Sequence, residues 1–338
     1  MGQGEERKAR RRGGAQASSD LLVEPQGEAD QDQFRRQMEE SLSDTAQAVI
    51  ERTGTPPESA EGRSWQRARQ VVADFRPIPW FIWRLSNFVF SRPGRPTPFP
   101  EGFVFGLRRL LCAVASDETL GTGSKVTEVR RALTVVPPDV IAAAAVIHAV
   151  CRRLVSRPHE RIWRPILDDA LLRAQIGHEV GGQRGDFGAG RGMLGGFAGR
   201  IGLAVLIAAG NADQAQRALE MLATGAGIAA VGLRIYECDP LQVSAMMLSA
   251  CGCGRDAAFG TAAFASRDNP AQFPVDSELQ GLWLATLNLT EHVRMNRPGE
   301  IPGDHWSLLG FEVDTGRERV LQEAKQSVRR GHGWSWMI

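Results

Sequence analysis

The sequence predicts an all-α protein: a multi-helix domain preceded by a polar N-terminal tail and one or two accessory helices. Three observations predict it. Apolar residues return every three or four positions in window after window, and runs of alternating β-branched residues are few. The windows are separated by Gly- and Pro-rich breaks. The 338 residues are 43% apolar, enough for a sizeable core in one or two domains.

Residues 1–30 are rich in Gly, Gln, Glu and Arg, with little to bury, and are expected to be disordered. The run Arg7, Lys8, Arg10, Arg11, Arg12 reads as a solvated tail, with weak contact to nucleic acid or anionic lipid as the sharper alternative. No apolar stretch follows it, so no secretory leader is expected and a cytoplasmic location is. Glu6 stands where N-myristoylation would want Ser or Thr.

Residues 31–75 hold the accessory helices. Phe34, Met38, Leu42, Ala46, Val49 and Ile50 make one apolar stripe over 31–52, ended by Thr53-Gly54-Thr55-Pro56-Pro57. A second helix is predicted from about Ser64 through Trp65, Ala68, Val71, Val72 and Phe75. The pair either docks on the main domain or binds a partner.

The main domain is placed at 76–330. Pro77-Ile78-Pro79-Trp80 opens it, and Phe81, Ile82, Leu85, Phe88 and Val89 follow with helical spacing. After the proline-broken loop Arg92–Pro98, helices are predicted at 104–115, 126–135, 138–154, 161–181, 190–209, 212–225, 240–250, 255–265, 276–294 and 313–329. Gly121-Thr122-Gly123, Pro137-Pro138, Gly181-Gly182, Gly210 and Asp268-Asn269-Pro270 mark breaks between them. Residues 331–338 form an aromatic tail around Trp334 and Trp336, which either folds back on the core or stands out as an anchor.

Charge and cysteine use narrow the function classes. Net charge is +1 and the pI about 7.7, so no nucleic-acid partner is expected. Val140–Val150 is too short to span a membrane and Met193–Ala209 carries Arg200 mid-run, so both read as buried helices and no membrane partner is expected. The five cysteines lie mostly in apolar runs, and Cys251-Gly252-Cys253 has no second pair to complete a zinc set. They read as reduced core thiols.

Candidate chemistry is sparse. His178-Glu179 is the nearest approach to a metal pair, but it lies at a helix end where a cation caps the dipole. His148, in an alanine-rich helix, reads as a satisfied core histidine. Asp168 and Asp169 are adjacent helical residues about 100° apart and do not share a face as an acid–base dyad would. Gly185–Gly192 precedes a helix and could offer amides to an anion, with Arg191 and Arg200 nearby, yet no strand precedes it and G-x-G-x-x-G is absent. Gly195, Gly196 and Gly199 in an apolar helix invite close helix approach.

Three segments in order carry a resemblance: Ile162-Trp163-Arg164-Pro165-Ile166-Leu167-Asp168-Asp169, then Gly196-Phe197-Ala198-Gly199-Arg200-Ile201-Gly202, then Asp239-Pro240-Leu241-Gln242-Val243. With Pro77-Ile78-Pro79, Leu110–Ser116, Lys125–Leu133, Leu282–Ala285 and Trp306–Gly310, they make a stretch of about 250 residues that resembles the HDOD family, the non-catalytic relatives of HD-type metal phosphohydrolases. In that helix start Thr127 is the expected N-cap. The resemblance implies that an active enzyme would carry a His at Pro165, a His-Asp pair at Gly199-Arg200, a His at Pro240 after Asp239, and a late His pair where Phe264 and Ala265 stand. Proline, glycine, arginine and phenylalanine offer a divalent ion no donor. No metal, cofactor or catalytic residue is therefore expected, and Arg200 is expected to pair with Asp168, Asp169 or Asp239.

The expected function is non-enzymatic regulation or signal transduction, through protein contacts or a small bound ligand. The alternative is a metal-dependent HD-type phosphohydrolase with a relocated metal site.

Overall fold

The computed structural model describes residues 28–90, 101–266, 273–311 and 314–338. Most of the expected tail, the Arg92–Pro98 loop and the Asp268–Pro270 break lie outside them. Among the described residues the protein is built from α-helices, with no strand. In order these are α1 (Glu28–Thr53), α2 (Ala60–Phe75), α3 (Trp80–Phe90), α4 (Glu101–Ser116), α5 (Val129–Val135), α6 (Pro138–Val155), α7 (Glu160–Gly181) and α8 (Ala189–Ala209). Then come α9 (Ala212–Ala223), α10 (Ile228–Val231), α11 (Pro240–Ala250), α12 (Arg255–Ala265), α13 (Glu278–Arg294), α14 (Gly303–Leu308) and α15 (Asp314–Arg330).

Helix α8 is the axis of the fold. Nearly every side of it is apolar and buried, from Met193 to Ala208, because α6, α7, α11 and α13 all pack on it. By length and apolarity it could cross a membrane, but 89% of its apolar window is buried inside the protein. Helices α7 and α8 touch backbone to backbone. A Cβ on Gly177 would stand 2.1 Å from the Gly192 carbonyl oxygen, and one on Gly192 would stand 2.0 Å from that of Gly177. Only glycine allows this approach. The glycines singled out from the sequence divide. Gly196 packs on the Arg173 carbonyl and Gly195 faces Thr286 of α13, but Gly199 has nothing nearer than Leu287 Cδ2 at 3.8 Å. Close packing does not require glycine there.

The accessory helices dock on the main domain. Trp65, Ala68 and Val72 of α2 and Leu42 and Val49 of α1 join the common core. Thr45 Oγ1 meets Ser249 Oγ of α11 at 2.7 Å, and the Asp239 amide donates to Ser64 Oγ at 2.9 Å. Helix α1 begins at Glu28, so the tail stops short of residue 30, and α2 begins at Ala60 with Ser59 capping the Gly62 amide. Residue 64 lies a full turn inside.

Other boundaries moved for local reasons. Helix α5 starts at Val129 with Glu128 at the N-cap, without a side-chain cap bond, so Thr127 is not the cap. Ser116 Oγ instead takes the Val126 amide at 2.8 Å and holds the chain extended before the helix. Helices α10 and α14 and the π-helical turn Gly232–Tyr236 carry too few residues for periodicity to reveal them. The C-terminal tail folds back. Trp334 and Met337 are buried, and the Met337 carbonyl lies 2.8 Å from His148 Nδ1 in α6.

All five cysteines are free. Cys151, Cys238, Cys251 and Cys253 are buried, and burial pushes the Cys238 and Cys253 thiols up to about 12. Such thiols are poor nucleophiles.

Candidate functional site

The densest charge in the structure gathers where α7, α8 and α13 meet. Asp169 and Arg173 lie one turn apart on α7, Arg200 interrupts the buried run of α8 at its middle, and Glu291 and Arg294 come from the last turns of α13. Arg173 donates from Nε to Asp169 Oδ2 at 2.9 Å and from Nη1 to Glu291 Oε2 at 2.6 Å. Arg200 donates from Nε to the same Asp169 Oδ2 and from Nη2 to Glu291 Oε1, both at 3.1 Å. Arg294 Nε closes the set on Asp169 Oδ1 at 2.6 Å.

Three guanidiniums thus share two carboxylates. Arg173 is only 1% exposed, and Asp169 and Glu291 are each 21% exposed. Burial alone would raise the Asp169 pKa, but the charges of Arg173, Arg200 and Arg294 outweigh it and hold the carboxyl below its usual range. Burial, then the neighbouring Arg200 charge, lowers Arg173 against the pull of its two acids. A buried guanidinium without these acids would be severely destabilising, so the network holds together as a unit.

The residues expected to form the site are only partly brought together. Asp169 and Arg200 meet directly. Asp168 turns the other way, to Arg164 Nε at 3.3 Å and His332 Nε2 at 3.4 Å. Asp239 is not a partner of Arg200 here but the N-cap of α11, accepting from the Leu241 amide at 2.8 Å, with Pro240 at the first helical position. Pro165 is exposed in the second turn of α7, Gly199 is buried beside Leu287, and Phe264 is buried in the core on α12.

Arg191 does not join the cluster. It is buried and donates to the Phe187 carbonyl at 2.8 Å and the Phe90 carbonyl at 3.1 Å, with its guanidinium 5.4 Å from the Phe90 ring centroid. Burial lowers its pKa. The glycine-rich turn before α8 is already supplied with an anion. The Asp139 carboxylate of α6 accepts from the Gly190 amide at 2.8 Å. An external anion would have to displace it.

His178 pairs with Glu179 at 3.3 Å near the end of α7. Among the described residues no three His, Cys, Asp or Glu side chains gather with the geometry to hold a metal ion.

Sequence reasoning missed Arg173, Glu291 and Arg294. Arg173 carried a usable signal, since it follows Asp169 by four positions on one helix. Glu291 and Arg294 carried none, because they arrive from over a hundred residues away.

No family model matches the sequence, and no curated protein matches it. Two solved structures are similar. A "Putative signal transduction protein" from Marinobacter aquaeolei VT8 shares 17% identity at a TM-score of 0.56, over 88% of this chain and 65% of that one. A "Putative phosphohydrolase" from Shewanella amazonensis SB2B shares 15% identity at a TM-score of 0.54, over 80% of this chain and 97% of that one. At these identities the likeness establishes the fold: this chain has the same all-α architecture as those two proteins.

Proposed function

We propose that the protein is a non-enzymatic regulator of the HDOD type, acting in the cytoplasm through protein contacts or a small bound ligand. The observation that carries this reading is the ion-pair network itself. Its two carboxylates are engaged by three guanidiniums, so a divalent ion would have to expel positive charge to reach them. The likeness to a protein named for signal transduction supports the same reading.

A second reading has its own support, because the chain also resembles, along almost all of that protein's length, one named as a phosphohydrolase. On that reading a metal site has moved to residues outside the α7–α8–α13 junction. One experiment separates the two. The purified full chain is supplied with Mn2+, Mg2+ or Fe2+, its bound metal is measured by elemental analysis, and hydrolysis of a generic phosphodiester is followed. The regulatory reading expects neither stoichiometric metal nor turnover. Stoichiometric metal with turnover that survives Arg200→Ala would establish the phosphohydrolase instead.

A further inference from the structure

Net charge, from which no nucleic-acid partner is expected, averages over an uneven surface. Helix α2 with its C-cap, residues 60–76, and the corner between α6 and α7, residues 152–164, together carry nine arginines, no lysine and three acids, so the remainder of the chain is net acidic. The fold brings these two segments together. Arg153 Nε donates to the Phe75 carbonyl at 2.9 Å and Arg157 Nη2 to the Asp74 carbonyl at 3.3 Å, with the Arg157 guanidinium 5.6 Å from the Phe75 ring centroid. Two guanidiniums thus close the C-terminal end of α2, where carbonyl groups lack helical partners and the dipole favours cations.

Other arginines of the patch have no such task. Arg63, Gln66, Arg67 and Gln70 stand at i, i+3, i+4 and i+7 on the exposed face of α2, opposite the buried Trp65, Ala68 and Val72. From Arg63 to Arg76 the row runs roughly 20 Å along the helix. Gln70 Nε2 engages Asp74, the acid at the end of the row, at 3.0 Å. Among the described residues, Arg67, Arg69, Arg76 and Arg161 are exposed, and their side chains make no hydrogen bond or ion pair. Arg76 keeps the left-handed conformation at the C-cap of α2, with φ 50°, where glycine would carry no strain. Val155 is the one large apolar side chain exposed in these two segments, and none of their aromatic rings is exposed. The surface is therefore a row of free guanidinium and amide donors with almost nothing apolar in it.

We propose that this surface binds the phosphodiester backbone of double-stranded nucleic acid, without sequence preference. Guanidiniums take phosphate oxygens bidentately, and glutamine amides donate to them as well. A row of such donors along a rigid helix matches a stiff, linear polyanion. Other occupants fit less well. A stable protein interface needs an apolar centre, a membrane surface needs an apolar face to insert, and an unpaired strand needs exposed rings on which its bases stack. The patch offers none of these. The assignment goes beyond the regulatory reading and does not rest on it, because its test reads occupancy and not turnover.

The test is fluorescence anisotropy of the full chain with labelled duplexes of about twenty base pairs, one of DNA and one of RNA, at rising NaCl. We expect saturable binding of at least one duplex, weakening with salt at a slope that corresponds to about four or more neutralised phosphates. Arg67→Glu combined with Arg161→Glu should weaken binding by about tenfold or more and flatten the salt slope. Arg69→Glu gives a further variant should the double one melt early. Arg234→Glu, an exposed arginine outside the patch, should bind as the parent does. The proposal is overturned if neither duplex binds the folded protein at micromolar concentration and low salt. It is equally overturned if the patch variants bind as the parent does, which would place the binding on the basic run at residues 7–12, or if phosphatidylserine vesicles or polyglutamate bind more tightly than either duplex.

Discussion

His148 and Met337, 189 positions apart, meet in the interior, with the imidazole Nδ1 2.8 Å from the Met337 carbonyl oxygen. The contact ties the C-terminal tail to α6. It also makes the tail's attachment depend on pH, because burial holds the His148 pKa down at about 4 despite that carbonyl. The folded value lies below the ordinary 6.5, so protonation favours the unfolded chain. The stability is complete above pH 6.5 and is lost as pH falls from there to about 4, amounting to about 3 kcal/mol. Burial-lowered His305 and His332 add to the slope in the same direction. Urea denaturation between these pH values should show the fall, and His148→Gln, which can still donate to Met337 but does not titrate, should make it visibly shallower. An unchanged slope in that variant would deny His148 the role.

Asp169→Asn should cost about 3–5 kcal/mol, since it leaves the buried Arg173 and its neighbours with too little negative charge. Arg200→Met should cost less, because Asp169 and Glu291 each keep Arg173. The pH window of this network is separate from that of His148. Asp169 has its folded pKa depressed below 3.8, so its contribution is present above that value and is lost as pH falls through the folded pKa. Chemical denaturation of both variants at neutral pH checks the order, and equal losses would contradict it.

Gly177→Ala and Gly199→Ala should move stability in opposite directions. A methyl at Gly177 collides with the Gly192 backbone and forces α7 and α8 apart. At Gly199 the nearest atoms stand at 3.8–3.9 Å, ordinary contact, so helix propensity decides and alanine gains about 0.5–1 kcal/mol. Melting temperatures of the two variants test this, and a destabilised Gly199→Ala would mean that α8 packs more tightly there than its glycine contacts indicate.

Asp139→Ala removes the carboxylate that the N-terminus of α8 uses as its anion. The expected loss is about 1–2 kcal/mol. If the variant is stable enough to handle, added sulfate or phosphate should restore part of its melting temperature while leaving the parent protein unmoved. Restoration of both alike would point to a general salt effect.

What the sequence by itself determined was the helical class and most of the helices, because apolar period, caps and breakers act over a few residues and survive without tertiary context. The stripe from Phe34 to Val49, the stop at Thr53-Gly54-Thr55-Pro56-Pro57 and the break at Gly210 between α8 and α9 are all local. The Asp169–Arg200 contact was within reach as one of three possible acids for an arginine in an apolar helix. Tertiary structure alone decided the rest. Glu291 reaches Arg173 across 118 positions and Arg200 across 91, and Asp117 reaches Trp336 across 219. No periodicity encodes such pairings, since they exist only once packed helices set side chains from distant turns at contact distance, where desolvation makes each charge depend on its partners.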